Sequence, residues 1–291
     1  MLSPLLENIC ADISRSLGRS FVNQGQVLVG GGCISRTFRL SNDEESFFVK
    51  VGEASVEAMF RAEILGLETL RASGELVLPK VICCGHVDDH AFLVLSWEEL
   101  GGPANYAALG NALARLHRKL QGHAFGFDED NFIGATPQKN TWGESWQSFF
   151  FDQRLAFQIE LAQAKGGRFP LFSKLYDKGR CLLSDHSVVP SAVHGDLWSG
   201  NVSFLSNGTP IIYDVATYFG DREVDLAMSQ LFGGFPPAFY QAYEAVWPLA
   251  HGFQTRFELY NLYHILNHFN LFGVHYEAQA NNMISNLVSS L

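Results

Sequence analysis

HGDLWSGN (residues 194–201), followed at once by VSFLSNGTPIIYD (202–214), carries the densest chemistry in the chain. After an apolar patch of Val188, Val189, Ala192 and Val193, the octet offers an imidazole, a carboxylate, an indole and a carboxamide. Asn207-Gly208 then separates two apolar runs, a short-range signal for a β-hairpin. A two-residue turn on that pair places Asn201 opposite Asp214, with Cβ atoms roughly 4.5–5.5 Å apart. A carboxylate and a carboxamide oxygen at that spacing suit Mg²⁺, a hard ion that takes oxygen ligands and keeps several waters. The alternative, Asn201 capping a turn and Asp214 ending a strand, weakens once Asp196 is counted with them.

Asp196 stands five residues before Asn201, the spacing of the kinase catalytic loop H-R-D-x-x-x-x-N. In that loop the Asp accepts the proton of a substrate hydroxyl and the Asn holds a metal ion. His194 joins the catalytic candidates, read more as orienting the loop than as carrying protons. Trp198 is read as a stacking wall for an acceptor ring or sugar face. Upstream, Lys50 in SFFVKVG (46–52) is costly to bury without a partner. Glu63 in VEAMFRAEILGLETL (56–70) offers one, since Met59, Phe60 and Leu67 put it on an apolar helical face. A strand lysine paired with a helix glutamate steadies the phosphates of ATP in kinases. VGGGCISRTF (29–38) supplies Gly31, Gly32 and Ser35 as further phosphate contacts, a weak signal by itself because it lacks the Walker pattern.

The chain has 291 residues, 47% hydrophobic and 17% charged, enough for one large domain or two lobes. A net charge of −10 speaks against nucleic-acid or anionic-membrane partners. No apolar run reaches spanning length, and no basic leader opens the chain. The five cysteines show no C-x-x-C spacing, which points to a reducing cytoplasm. Short Val-, Phe- and Leu-rich runs fill residues 1–100 around one helix at about 55–72, and longer helical periodicities fill residues 101–291. An α+β, bilobal architecture follows, with a joint at about 96–102 and a ligand cleft between the lobes. Cys83-Cys84 reads as buried strand-end packing, and His264 with His268 as a packed core helix.

These words together resemble the fructosamine kinase (ketosamine-3-kinase) family, relatives of the aminoglycoside phosphotransferases. The likeness rests on HGDLWSGN, YDVATYFGDREVDLAM (213–228), LFGGF (231–235) and RFELYNLYHILNH (256–268). FFVKVG, MFRAEILGLETL and NFIGATPQKNTW (131–142) with Trp146 extend it over nearly the whole chain. The resemblance implies a protein-kinase-like fold and ATP-dependent phosphorylation of a ketosamine 3-hydroxyl. It makes Asp196 the base, Asn201 and Asp214 the Mg²⁺ ligands, and Lys50 with Glu63 the phosphate-steadying pair. Adenine contacts then fall at Ser96, Trp97, Glu98 and Leu100. Asp221 and Arg222 shape a substrate wall beside the metal, and Asp225 braces the catalytic loop. The chain departs from the family pattern at Asp214-Val215-Ala216, where D-P-A is usual, and at Ser96-Trp97 in the joint. Cys33 in the glycine loop implies a redox-sensitive thiol and a disulfide-linked dimer, with a monomer as the other state. Other sugar, choline-type or aminoglycoside acceptors, and a non-catalytic nucleotide-binding scaffold, are the competing readings.

Overall fold

The computed structural model describes residues 4–30 and 35–291. Helix α1 (Pro4–Leu17) leads into a five-stranded antiparallel sheet of β1 (Gly25–Val29), β2 (Arg36–Ser41), β3 (Ser46–Glu53), β4 (Val81–Val87) and β5 (His90–Ser96), in the order β1-β2-β3-β5-β4. Helix α2 (Glu57–Arg71) crosses between β3 and β4 and ends ahead of Gly74, which has φ +68°. The pleat of β3 explains where its lysine goes. Phe47, Val49 and Val51 bury against Leu6, Ile9 and Ile13 of α1, so Lys50 must point to the opposite face.

Strand β4 lacks the texture of its neighbours. VICCGHV contains a glycine and a histidine, forms a sheet edge and shifts register between Val81 and Cys83. The expected burial of the cysteine pair fails there: Cys83 is half-buried and Cys84 exposed.

The remainder is mostly helical. Helix α3 (Tyr106–Lys119) is capped by Asn105, whose side chain accepts from the Ala108 N–H at 3.0 Å. A small hairpin follows, β6 (Asn131–Ile133) and β7 (Thr136–Gln138). The short helix α4 (Trp146–Ser148) widens into a π-helical stretch, Phe149–Ala156, and continues as α5 (Phe157–Ala164). After α6 (Phe172–Lys178), strand β8 (Ser191–Val193) delivers the opening octet, and β9 (Val202–Phe204) pairs with β10 (Pro210–Ile212). Strand β11 (Tyr218–Gly220) returns antiparallel to β8 and hands the chain to α7 (Glu223–Leu231), α8 (Pro237–Val246), α9 (Phe253–Phe272) and α10 (Glu277–Ser289). One apolar core runs from Phe60 and Leu67 of α2 to Ile265 and Leu266 of α9, so the sheet-bearing and helical parts share a packed seam. No described helix is long and apolar enough to cross a membrane.

His264 is buried within α9, and burial pushes its imidazole down to about 3. In the unfolded chain it titrates near the ordinary value of about 6.5. Between those values the unfolded state holds a proton that the folded state refuses, so stability falls as pH falls. The loss is about 1.4 kcal/mol per pH unit in that window. His264→Gln is expected to lose less stability than the parent between pH 6.5 and 4.5, measured by urea unfolding. Parallel curves for the two proteins would contradict it.

Candidate active site

Two elements of the sheet-bearing part and two loops of the helical part meet in one cleft of about 750 Å³. From β3, the Lys50 ammonium lies 2.8 and 2.9 Å from the two carboxylate oxygens of Glu63 on α2, and 2.5 Å from Asp214 Oδ1. Burial works against the charge on Lys50, but the Glu63 and Asp214 carboxylates outweigh it and hold the amine above its ordinary range. Ser35 lines the same cleft, whereas Gly31, Gly32 and Cys33 fall outside the described residues.

The octet's loop is held from behind by Asp225 in the first turn of α7. Its Oδ2 accepts from the His194 N–H at 2.7 Å and its Oδ1 from the Gly195 N–H at 2.9 Å, while His117 Nε2 lies 3.1 Å from Oδ2. Burial alone would raise this carboxyl; the His117 bond and the surrounding donors win and hold it below the ordinary carboxylate range. Gly195 has φ +82°, and a Cβ there would fall 2.1 Å from the Ala216 carbonyl oxygen, so only glycine fits.

His194, placed among the catalytic candidates, stays out of the cleft, in keeping with a loop-orienting place. Its ring is fully buried and outside the cleft lining, with Nδ1 accepting from the Asp196 N–H at 3.2 Å and Nε2 lying 3.0 Å from the Tyr213 carbonyl. Burial lowers its pKa, which suits a neutral Nε2–H tautomer making both bonds.

The hairpin register also differs from expectation. Gly208, at φ +81°, donates to the Leu205 carbonyl at 2.7 Å, and the Leu205 N–H donates to Thr209 at 2.9 Å. The loop therefore has three residues and a left-handed glycine bulge. Phe204 pairs with Pro210 and Val202 with Ile212, and the Tyr213 N–H donates to the Asn201 carbonyl at 3.1 Å. Asn201 thus faces Tyr213. Asp214 still reaches the site because its own φ of +55° turns the chain back. Asn201 Nδ2 donates to Asp196 O at 2.8 Å, Asp196 Oδ2 at 3.1 Å and Asp214 O at 3.4 Å. Its Oδ1 has no hydrogen-bond partner among the described residues. Burial pushes Asp196 up to about 7, with the Asn201 bond opposing and the Asp214 charge assisting.

Trp198 is half-buried and lines the cleft. Its ring meets Phe232 edge-on at 6.1 Å, Phe232 stands 4.8 Å from His268, and His268 lies 5.4 Å from Phe272 and 5.2 Å from Tyr276. Sequence reasoning missed this aromatic wall, and it misread His268, which faces the cleft while His264 packs. The available signal was the four-residue spacing of His268 and Phe272 on one helical face, with Phe232 in LFGGF.

Two expected substrate residues are not brought in. Asp221 is buried under Tyr260 OH (2.6 Å) and His186 Nε2 (2.7 Å), outside the cleft lining. Arg222 donates to Tyr243 OH and to the Trp247 and Pro248 carbonyls, at 3.1, 3.1 and 2.6 Å. Both are buried and hydrogen-bonded around the start of α7, Asp221 to α9 and Arg222 to the end of α8 and the residues after it. Ser96, Trp97, Glu98 and Leu100 also stand outside this cleft lining, at the end of β5. Ser96 Oγ accepts from the Lys80 N–H at 2.8 Å and donates to Glu98 at 2.7 Å, and Arg39 covers the Trp97 ring at 4.7 Å.

The fructosamine kinase family profile matches residues 5–290. This chain belongs to the fructosamine kinase family. Among its relatives, a probable ketoamine kinase of Synechocystis is 46% identical over 96% of this chain and 95% of its own length. The chloroplastic protein-ribulosamine 3-kinase of Arabidopsis thaliana is 38% identical over 90% of this chain and 82% of its own. A solved structure of a candidate fructosamine-3-kinase from Haemophilus somnus superposes with TM-score 0.89 at 28% identity, covering 96% of both chains. Aminoglycoside phosphotransferase APH(4)-Ia, at 14% identity, covers 98% of both chains with TM-score 0.65 and shares the fold alone. The architecture of this family member is the bilobal, protein-kinase-like one.

Proposed function

We propose that this member of the fructosamine kinase family transfers the γ-phosphoryl group of ATP to the 3-hydroxyl of ketosamines, sugar-derived adducts of amines. The observation that carries the reading is that Asp196, Asn201 and Asp214 share a cleft with the Lys50–Glu63 ion pair. The names of the relatives support the acceptor class. Phosphoryl transfer asks the protein mainly to position reactants and neutralise charge, and this set of groups is built for both.

In this reading Lys50, steadied by Glu63, holds the α- and β-phosphates, and adenine lies against Ser96 to Leu100. The Asp196 carboxylate accepts the hydrogen bond, then the proton, of the attacking hydroxyl. Trp198 presents its face to the sugar. The donors fit Mg²⁺: the Asp214 carboxylate is exposed in the cleft and the Asn201 Oδ1 carbonyl has no partner among the described residues, both hard oxygen ligands. Bound there, the ion would neutralise phosphate charge. Asp214, engaged with a cation, would hold Lys50 less closely and leave the ammonium for phosphate.

The test is ADP release by purified protein with Mg·ATP and a panel of fructosyl-lysine, ribulosyl-lysine, choline and an aminoglycoside. Turnover with the ketosamines above the others is expected. Turnover confined to choline or the aminoglycoside would move the acceptor assignment, and none at all would favour a nucleotide-binding scaffold. Trp198→Ala is expected to raise the acceptor KM about tenfold, the worth of one stacking contact, and to leave the ATP KM unchanged. An unchanged acceptor KM would place the sugar elsewhere.

A further inference from the structure

The segment NFIGATPQKN (131–140) supplies no group to the chemistry above, yet its buried amides reach the backbone that follows Asp214. Gln138 Nε2 donates to the Ala216 carbonyl at 3.1 Å and Asn131 Nδ2 to the Thr217 carbonyl at 2.7 Å. We propose that Asn131 and Gln138 are positioning residues that hold the segment after Asp214 by its carbonyls and so keep that carboxylate aimed into the cleft. The inference rests on the kinase reading and deepens it.

Asp214 needs such support. A left-handed backbone at a non-glycine residue is strained and persists only where the surroundings over-determine it. A segment free to relax would swing the carboxylate away from Lys50 and Asn201. The Ala216 N–H is tied to the His194 carbonyl at 2.8 Å, and the two amides fix the carbonyls of Ala216 and Thr217.

The row of amides also has a single polarity. Tyr263 OH donates to Gln138 Oε1 at 2.7 Å, which turns Gln138 Nε2 toward both Ala216 and Asn131 Oδ1, the latter at 2.8 Å. Asn131 Oδ1 also accepts from Asn140 Nδ2 at 2.8 Å, so Asn131 must present its Nδ2 to Thr217. At the far end Arg154 donates to Asn140 Oδ1 at 2.7 Å. Arg154 is fully buried on the π-helical stretch, its guanidinium 4.5 Å from the Phe149 ring and 4.1 Å from that of Tyr218. No carboxylate pairs with it among the described residues. A guanidinium can only donate, so it dictates which way each amide in the row points. That a cation is buried at the head of this row, against the cost of burial, fits a polarity that must not flip.

Gln138→Met removes the donor at similar volume, and Asn131→Asp removes the donor to Thr217 while keeping an acceptor for its neighbours. Asn270→Leu is the control. It deletes a buried amide bonded to Gln158 at 2.7 and 2.9 Å, with no bond to the loop. Mn²⁺ affinity with ADP present, read by electron paramagnetic resonance, is expected to weaken about tenfold or more in both loop variants, the usual effect of losing a group that orients a ligand. Their kcat should fall while the ketosamine KM holds, and Asn270→Leu should lose thermal stability with unchanged Mn²⁺ affinity. A folded Gln138→Met or Asn131→Asp with parental Mn²⁺ affinity would overturn the proposal, as would equal weakening in Asn270→Leu. Failure of the parent protein to bind Mn²⁺ with ADP would instead overturn the kinase reading, and this inference with it.

Discussion

Asp196→Asn is expected to lower kcat by about 10²–10⁴-fold, the range for removing a positioned general base. The substitution keeps the side chain's shape, and Asn201 can still donate to the remaining oxygen. What disappears is the capacity to take a proton from the acceptor hydroxyl. Acceptor and ATP KM values should stay near those of the parent, because no binding surface changes. Initial-rate measurements at saturating ketosamine, with circular dichroism to confirm folding, decide it. Activity within a few-fold of the parent would assign the base to another group.

Asp225→Asn should act through structure. One carboxylate answers His194 N–H, Gly195 N–H and His117 Nε2, all in a buried setting. An amide has one oxygen and one NH₂, so whichever way it turns, a donor faces a donor. The expected loss is about 3 kcal/mol in urea unfolding at neutral pH, the size of stranding buried partners of a charge. The depressed carboxyl contributes stability above the unfolded-state value of about 3.9, and that contribution fades as pH falls through the folded value. The gap between parent and variant should therefore narrow only in strong acid. Activity should fall with stability, since the same bonds fix the loop bearing Asp196. A variant as stable as the parent would mean that α7 does not anchor the loop.

Much of this site could be read before any coordinates, because its chemistry is local. Asp196 and Asn201 share one loop, and period-two pleating puts Lys50 on the cleft face whatever the details of the sheet. Asp214 lines the cleft, although the register that pairs it with Asn201 is not the one observed. The two-residue turn was one residue short, and the left-handed Asp214 backbone made good the difference. Such a conformation is hard to place from a sequence, since aspartate adopts it only occasionally. Asp221 and Arg222 stand outside the cleft lining for the opposite reason. Charged residues a few positions after Asp214 look like site residues, but their burial among helices is decided by packing far along the chain. The aromatic wall was hidden likewise, since Phe232 and His268 come from separate elements and only the tertiary fold brings their rings together. The amide row behind Asp214 depends on β6, β7, β11 and α9 meeting, which no local pattern encodes.

The most direct test of the account is a crystal structure with Mg·ADP and a ketosamine bound. It should show Asn201 Oδ1 and the Asp214 carboxylate on the cation, Lys50 on phosphate oxygen, and an Asp196 oxygen within about 3.2 Å of the acceptor 3-hydroxyl. A cation held without Asn201 and Asp214, or an acceptor whose nearest hydroxyl to Asp196 is not the 3-hydroxyl, would contradict it.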